Sequence, residues 1–234
     1  MQSYFIWNGV DSRAMGIITK AHAPLIRPEE RVNHVQIPGK SGDLTETEGD
    51  NIYNSYIQTV SFSAVGKDRA IDVFRWLRGE GYITFSGEPD RRQQARVVGA
   101  VTLEKVSRNM DHWRGQAQFY CQPLKERIYD TAETLTAAGA VYNAGDVDAH
   151  PIILAYRGLS DSMTITVNGN DFVLTNVRNI RRIDCAAREV TNALRTVICT
   201  KDSSGPFPVL HPGINTIAGS GWSRLEIYKN ERFL

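Results

Sequence analysis

The sequence predicts a mainly β protein of two domains, with one α-helix in the first domain and an antiparallel β-sandwich as the second. Short apolar alternations recur along the chain, and in its second half they are separated by turn residues at regular spacing. Only one stretch has the apolar spacing of a confident helix. A weakly patterned polar stretch divides the 234 residues into domains at 1–130 and 131–234.

The first domain begins with short strands and turns. Residues 5–7 predict a strand that turns at Asn8-Gly9, and residues 15–18 predict the second strand of the same hairpin. Residues 23–28 contain two prolines, which interrupt the hydrogen bonds of a central strand. They therefore predict an extended arm, of the kind that meets a neighbouring molecule.

A tight turn is predicted at residues 37–44. Its Pro38-Gly39 pair is followed by Gly42 and Asp43, and both glycines are expected to adopt backbone angles that other residues avoid. The acidic stretch that continues beyond Asp43, to residue 50, predicts a solvated loop. We expect this turn to orient the strands on either side of it.

The same turn also resembles the end of a phosphate-binding P-loop, because Gly39 is followed by Lys40 and Ser41. That motif needs a glycine where His34 stands, and it must open a helix so that backbone N–H groups point at the phosphate. Neither condition is met. The histidines and cysteines show no spacing typical of a metal site, and no nucleophile or acid pair is indicated. The sequence predicts no enzyme, no metal and no cofactor.

A half-buried strand and a helix follow the turn. Residues 59–64 alternate apolar and hydroxyl-bearing side chains, which predicts the strand. The helix is predicted to begin at an N-cap, Asp68, whose carboxylate accepts free backbone N–H groups. Ile71, Phe74 and Leu77 recur on one face of this helix and are expected to pack on the core.

Three further strands are predicted in the first domain, at residues 82–85, 97–103 and 116–121. The last alternates small or apolar side chains with Gln116, Gln118 and Gln122, so one face packs on a core and the other meets water or a partner. Pro123 is expected to end this strand.

The second domain contains several short strands, expected at residues 151–154, 163–167, 172–174, 180–183, 197–199 and 225–228. Asn168-Gly169 predicts a type I′ hairpin, because that turn needs positive φ at both central positions. Three aromatic residues of this domain, Tyr156, Trp222 and Tyr228, are either ordinary packing residues or a platform on which sugar rings stack.

Composition narrows the classes of function. The chain has 27 basic and 26 acidic residues and a net charge of +1, which gives no field for strong binding to nucleic acid or an anionic membrane. Three cysteines, an odd number, suit a chain made in a reducing cytoplasm. No run of eighteen apolar residues occurs, so we expect a soluble chain without a membrane anchor.

Several motifs together resemble the distal tail protein (Dit) family of long-tailed, siphovirus-type bacteriophages. In the first half they are FxWNGVDSxxMG at residues 5–16 and IPGxxGDL at 37–44, where x is any residue, and the helix end at 76–77. In the second half they are NAG at 143–145, AHPI at 149–152, VNG at 167–169, LHPGINTI at 210–217 and RFL at 232–234. The turn departs from the family at Lys40-Ser41, where a charged residue often occupies position 41.

The resemblance implies a belt domain at residues 1–130 that forms a ring, generally a hexamer, and a galectin-like β-sandwich at 131–234. Such a ring sits at the tail tip of the virion and joins the tail tube protein to the tail-tip or tail-associated hub protein. It leaves a channel through which DNA passes only transiently. The tape-measure protein and receptor-binding or fibre proteins are further candidate partners, and the host bacterial cytoplasm is the expected place of synthesis.

Within that ring we expect two groups of residues to contact neighbouring subunits, namely Pro24, Leu25, Ile26 and Pro28 of the arm and Gln116, Gln118 and Gln122 of the strand. The alternative function is a carbohydrate-binding module attached to a virion or enzyme, which would use Tyr156, Trp222 and Tyr228. A glycan hydrolase is a third interpretation, but the sequence nominates no acid pair for it.

Overall fold

The structure is a computed structural model that describes residues 3–19, 23–47, 49, 51–106, 108 and 111–234. The chain is mainly β with one α-helix, which confirms the predicted fold class. It divides into two compact units, Met1–Ile128 with Leu234, and Tyr129–Phe233. No helix in the described ranges is long and apolar enough to cross a membrane.

In its described residues the first unit has nine strands and the helix. In chain order they are β1 Phe5–Trp7, β2 Val10–Asp11, β3 Ile17–Thr19, β4 Val32–Gln36, β5 Asp43–Thr47, β6 Tyr56–Val65, α1 Lys67–Trp76, β7 Glu80–Phe85, β8 Arg91–Lys105 and β9 His112–Arg127. One antiparallel sheet contains most of these strands, in the order β2-β1-β7-β8-β9-β6-β3. β4 and β5 form a separate two-stranded sheet.

The core of the first unit lies on one face of the large sheet. β6 and β9 turn Phe62 and Phe119 inward, and α1 adds Val73; all three side chains are 0% exposed. Trp7 from β1 joins the same cluster, and its ring centroid lies 5.3 Å from that of Phe119. The alternation of residues 59–64 is confirmed as a half-buried strand within β6.

The helix differs from its prediction at its start and in its buried face. It begins two residues earlier than expected, with Gly66 at the N-cap and no side-chain capping hydrogen bond, so Asp68 lies inside the first turn. Ile71 and Phe74 are exposed at 41% and 45%, and the residues that pack inward are Ala70, Val73 and Leu77. The buried face is therefore rotated by about one residue position from the predicted one.

The N-terminal hairpin also differs from its prediction. β1 turns at Asn8-Gly9 and pairs with β2, so that Trp7 lies opposite Val10. β3 instead pairs with β6 on the far edge of the large sheet, with Ile17 opposite Ala64. The turn residues were identified correctly, but the partner strand was not.

β9 continues past Pro123, where the sequence predicts an end. The register between β8 and β9 shifts at this point, from Ala95 opposite Cys121 to Gln93 opposite Lys125. β6 pairs with β9 only as far as Cys121. Pro123 thus falls in a β-bulge, where the missing N–H interrupts no regular ladder.

The second unit is a sandwich of two antiparallel five-stranded sheets. Its elements are β10 Glu133–Leu135, β11 Gly139–Asn143, β12 Ile152–Arg157, β13 Met163–Val167, β14 Asn170–Leu174, β15 Ile180–Asp184, β16 Glu189–Asn192, the 3₁₀ helix Thr200–Asp202, β17 Ser203–Ser204, β18 Gly213–Ser220, β19 Trp222–Tyr228 and β20 Arg232–Phe233. The sheet orders are β10-β19-β12-β15-β16 and β11-β18-β13-β14-β17.

The inner faces of both sheets supply the core of the sandwich, including Ile153, Ile165, Phe172 and Ile227. The hairpin prediction at Asn168-Gly169 is confirmed, since both residues have positive φ, 50° and 84°. Residues 197–199 do not form a strand, and only Ile198 makes an isolated bridge there. The sequence also gives no prediction of β11, β16 or β18.

Candidate functional site

The most exposed regular structure in the first unit is the hairpin of β4 and β5. The two strands pair from Val32 opposite Thr47 to Gln36 opposite Asp43. The stretch from Asp43 to Thr47 is therefore a strand and not the solvated loop that its acidity predicts; Glu48 and Asp50, the other acids of that stretch, lie outside the described residues. We refer to Val32–Gln36, Asp43–Thr47 and the residues between them as the hairpin arm.

The tip of the hairpin arm has the predicted backbone geometry. Gly39 and Gly42 have φ of 80° and 84°. A Cβ built at either glycine meets no atom within 4 Å, so backbone angle and not lack of space is what requires glycine. Lys40 N–H donates to the Ile37 carbonyl at 3.1 Å and closes the turn after Pro38.

Neither face of the hairpin arm is buried. β5 is exposed along its whole length and β4 is exposed except at Val32. Val35, Ile37 and Leu44 expose 43%, 40% and 41% of their surface. Neither strand pairs with a third strand in the part of the chain that the structure describes. The arm thus presents apolar side chains and strand edges to solvent.

The proline-bounded segment at residues 23–28 leads into the hairpin arm. Leu25 is 74% exposed and Pro24 is also exposed, whereas Ile26 is half-buried and Pro28 is buried. The following residues are held by Asn54 N–H, which donates to Glu29 O at 2.8 Å. The exposed residues of the predicted arm are therefore Pro24, Leu25 and Arg27.

The glutamine side chains of β9 lie on the open face of the large sheet. Gln116, Gln118 and Gln122 are exposed and alternate with buried residues of the same strand, as the sequence predicts. Neighbouring strands place hydroxyl groups beside them, with Ser61 opposite Gln116 and Thr59 opposite Gln118. This glutamine face offers amide and hydroxyl groups for hydrogen bonding.

The three aromatic residues of the sandwich do not form one exposed platform. Tyr156 and Tyr228 lie on the outer face of their sheet, and the Arg224 guanidinium covers the Tyr156 ring at 3.8 Å from its centroid. Trp222 is half-buried and packs against the sandwich core. Because the chain bulges between Tyr156 and Arg157, Trp222 does not continue the outer row.

Side chains with catalytic chemistry occupy structural positions. Ser162 Oγ donates to the Leu174 carbonyl at 3.3 Å, and His211 Nδ1 lies 2.8 Å from Asp148 Oδ1 at an exposed site. Within the described ranges, no group of three or more His, Cys, Asp or Glu residues is arranged to hold a metal ion.

All three cysteines are buried and free. Burial raises the pKa of Cys121 to about 12. Burial also raises the pKa of Cys185 far above its ordinary value, and the nearby Asp184 carboxylate adds to this increase. Because only the thiolate is a good nucleophile, neither side chain is activated for covalent chemistry.

Sequence reasoning missed two exposed features of the first unit. Ile71 and Phe74 form an apolar patch on the solvent side of α1, although their spacing predicts burial. Ile57 and Tyr120 are paired across β6 and β9 and extend the glutamine face with exposed apolar surface. The residues of β6 and β9 alternate between inward and outward positions, and this alternation places Ile57 and Tyr120 outward. Their exposure could therefore have been predicted from the sequence.

Comparison with known proteins supports the fold. No protein-family model and no curated protein sequence matches the chain. Among solved structures, the crystal structure of SPP1 Dit (gp 19.1) is similar with a TM-score of 0.78 and 17% sequence identity, over 100% of both chains. SPP1 Dit is described as a paradigm of the hub adsorption apparatus in phages that infect Gram-positive bacteria. The chain therefore has the fold of SPP1 Dit over its entire length.

Proposed function

We propose that this protein is a structural component of a phage tail tip, where it forms a ring that joins the tail tube to the tip proteins and leaves a channel for DNA. The observation that carries the proposal is the fold shared with SPP1 Dit, a hub adsorption protein, across 100% of both chains. The motifs at residues 5–16, 37–44 and 210–217, which resemble the Dit family, point independently in the same direction.

The hairpin arm supports assembly with further copies of the chain. An isolated two-stranded hairpin is marginally stable in water, and the arm has no buried face to compensate. No third strand of the described residues joins the arm, so its strand edges offer backbone groups to another strand. Contact with a neighbouring subunit would bury Val35, Ile37 and Leu44 and pair these edges. The exposed residues Pro24 and Leu25 precede the arm and would contribute to the same contact.

The glutamine face supplies a second surface for the ring. Gln116, Gln118 and Gln122 make contacts with a neighbouring subunit in this proposal, through amide hydrogen bonds that need no opposite charge. The chain as a whole carries a net charge of +1. A near-neutral ring does not bind the DNA phosphates strongly, so DNA passes without being retained.

The proposed partners are other copies of the chain, most simply six in a ring, the tail tube protein and the tail-tip hub protein. The tape-measure protein and receptor-binding or fibre proteins are further candidates. The role is structural rather than enzymatic, and it requires no cofactor. We place the protein at the tail tip of the virion after synthesis in the cytoplasm of the host bacterium.

Negative-stain electron microscopy of the purified chain, alone and with its tail tube protein, tests this proposal. We expect rings with a central channel, and we expect an antibody against the chain to label the tail tip of virions. A strictly monomeric mass at high concentration with the tube protein present would contradict the ring. Labelling of the capsid but not the tail would contradict the location.

A further inference from the structure

A cavity of about 680 Å³ opens at one end of the sandwich. Its walls come from the segment between β14 and β15, the start of β15, and the segment from Asn192 to Asp202. The volume falls within the range of about 300–1,000 Å³ typical of ligand sites. The cavity lies entirely within Tyr129–Phe233, so it exists without any ring. We call it the Arg181 cavity.

Arg181 is a buried cation without an anionic partner. Its side chain points to the same side of β15 as the core residue Ile183, and the residue is only 8% exposed. Nη2 donates to the Asn176 carbonyl at 2.6 Å, but Nε is shielded from solvent and has no acceptor. No carboxylate in the described ranges forms an ion pair with Arg181.

Arg182, the next residue of β15, is a buried arginine that is paired with a carboxylate. Arg182 is 7% exposed, and its Nη2 lies 2.9 Å from Asp184 Oδ2. Burying a guanidinium is unfavourable unless an anion and hydrogen-bond acceptors replace its water. Arg182 has an anion within its own strand. Arg181 has one carbonyl acceptor but no anion in the described ranges, and it lines a cavity. The difference indicates that an external group completes the Arg181 site.

The charge of the cavity favours an anion. Arg178 and Lys201 line it together with Arg181, and both are exposed at its surface. Asp202 is the single acidic residue of the lining, and its Oδ1 already accepts a hydrogen bond from Asn176 Nδ2 at 3.2 Å. A carboxylate suits Arg181 best, because its two oxygens match the planar guanidinium.

The rim of the cavity is aliphatic. Leu194, Val197 and Ile198 line it and expose 80%, 54% and 67% of their surface. No aromatic side chain belongs to the lining, so the cavity has no surface on which a sugar ring would stack. A cationic floor beside an aliphatic rim is complementary to a peptide that carries an acidic side chain between aliphatic ones.

We propose that the Arg181 cavity is a docking site for an acidic segment of a partner protein, in which an Asp or Glu side chain pairs with Arg181 and its aliphatic neighbours pack on Leu194, Val197 and Ile198. The site gives the sandwich an attachment function of its own. This proposal does not depend on ring formation, and each of the two can be tested without the other.

Titration of the full chain with acetyl-Leu-Glu-Leu-amide, followed by NMR chemical shifts, tests the proposal. We expect saturable shifts at Arg181 and Leu194, and affinity about tenfold or more above that of acetyl-Leu-Gln-Leu-amide. Arg181→Gln abolishes this preference, and Leu194→Ser weakens binding of the Glu peptide several-fold. Leu159→Ser, a matched exposed leucine outside the cavity, leaves binding unchanged.

Inorganic phosphate and glucuronate are the competing probes. Either one binding as tightly as the Glu peptide would overturn the peptide assignment, because the aliphatic rim would then contribute nothing. Equal affinity for the Glu and Gln peptides, or no saturable shifts at millimolar peptide, would overturn the site itself. If Arg181→Gln fails to fold, Arg178→Gln and Leu194→Ser decide the outcome, since both residues are exposed.

Discussion

The two units of the chain use β-structure in opposite ways. In Tyr129–Phe233 two five-stranded sheets bury their inner faces against each other, and residues such as Ile165 and Leu225 are 0% exposed. In Met1–Ile128 a single large sheet is packed on one side by α1, while its glutamine face and the hairpin arm are open. The second unit completes its own core, whereas the first leaves apolar and hydrogen-bonding surface for other molecules.

We therefore expect the sandwich to determine the folding stability and the hairpin arm to determine assembly into a ring. A substitution in the closed sandwich should change folding free energy and leave ring formation intact as long as the chain is folded. A polar substitution of an exposed side chain on the hairpin arm should reduce ring formation and leave the folding free energy almost unchanged.

The largest expected effect is on the sandwich core. Phe172 is 1% exposed and its ring centroid lies 4.8 Å from that of Phe207. Phe172→Ala should lower the free energy of unfolding by about 3–5 kcal/mol, because it removes buried contacts and leaves a cavity. Urea unfolding followed by circular dichroism measures this loss. Tyr142→Ala, at a 58% exposed position, should have little effect. A loss no larger than that of the control would mean that the sandwich core is not closed.

The second largest loss of stability is expected when the Arg182–Asp184 ion pair is removed. Desolvation acts to raise the pKa of Asp184, but the Ala187 N–H and the Arg182 guanidinium outweigh it and hold the pKa below 3.8. Its contribution to stability is therefore present above pH 3.8 and is lost as the pH falls through the lower folded value. Asp184→Asn should cost about 1–3 kcal/mol at pH 7, since Arg182 is left buried and unpaired.

Thermal or urea unfolding at several pH values checks this prediction. The difference between the parent chain and Asp184→Asn should be constant near neutral pH and shrink below about pH 4. A difference that is the same at pH 3 and pH 7 would show that the charge of Asp184 is not what stabilises the sandwich.

A pair of glycine variants separates folding from assembly directly. Gly39 in the hairpin arm and Gly169 in the sandwich hairpin have φ of 80° and 84°, and both have open space around a Cβ. Gly39→Val and Gly169→Val should each cost about 1–2 kcal/mol of backbone strain. Only Gly39→Val should reduce the ring population, as measured by mass photometry. If both variants lose rings equally, the loss is caused by lower folding stability and not by a change in the hairpin arm.

The smallest effect on stability is expected when exposed apolar residues of the hairpin arm are replaced by serine. Ile37→Ser with Leu44→Ser should change the free energy of unfolding by no more than about 0.5 kcal/mol, because both side chains are already 40% and 41% exposed. The double variant should nevertheless raise the concentration needed for ring formation. The matched pair Leu159→Ser with Ile214→Ser, in the sandwich, should leave that concentration unchanged. If the sandwich pair raised that concentration and the pair in the hairpin arm did not, the interface would lie on the sandwich.

The sequence predicted most where one face of an element is buried and the other is not. The alternation in β6 and β9 identified both strands and the outward glutamines, because burial of Phe62 and Phe119 imposes a period of two. The glycine and asparagine turns at Asn8-Gly9 and Asn168-Gly169 were also correct, since positive φ restricts the choice of residue.

The failures have physical causes as well. β5 buries neither face, so its sequence has no alternation of apolar and polar residues. Its acidic residues therefore indicate a solvated loop rather than a strand. Pro123 lies within β9 because a bulge removes the need for its N–H. The sequence gives no signal that Arg181 and Arg182 are buried. Only the folded structure shows that both are buried and that, in the described ranges, Arg182 has a carboxylate partner and Arg181 has none.

We propose that a neighbouring copy of the chain completes the hairpin arm in the ring. Amide hydrogen exchange over Val32–Gln36 and Asp43–Thr47, compared between monomer and ring fractions, tests it most directly. We predict fast exchange in the monomer and strong protection of both strands in the ring, with little change in β13 and β14 of the sandwich. Rings that form while both strands of the arm exchange as fast as in the monomer would contradict the account.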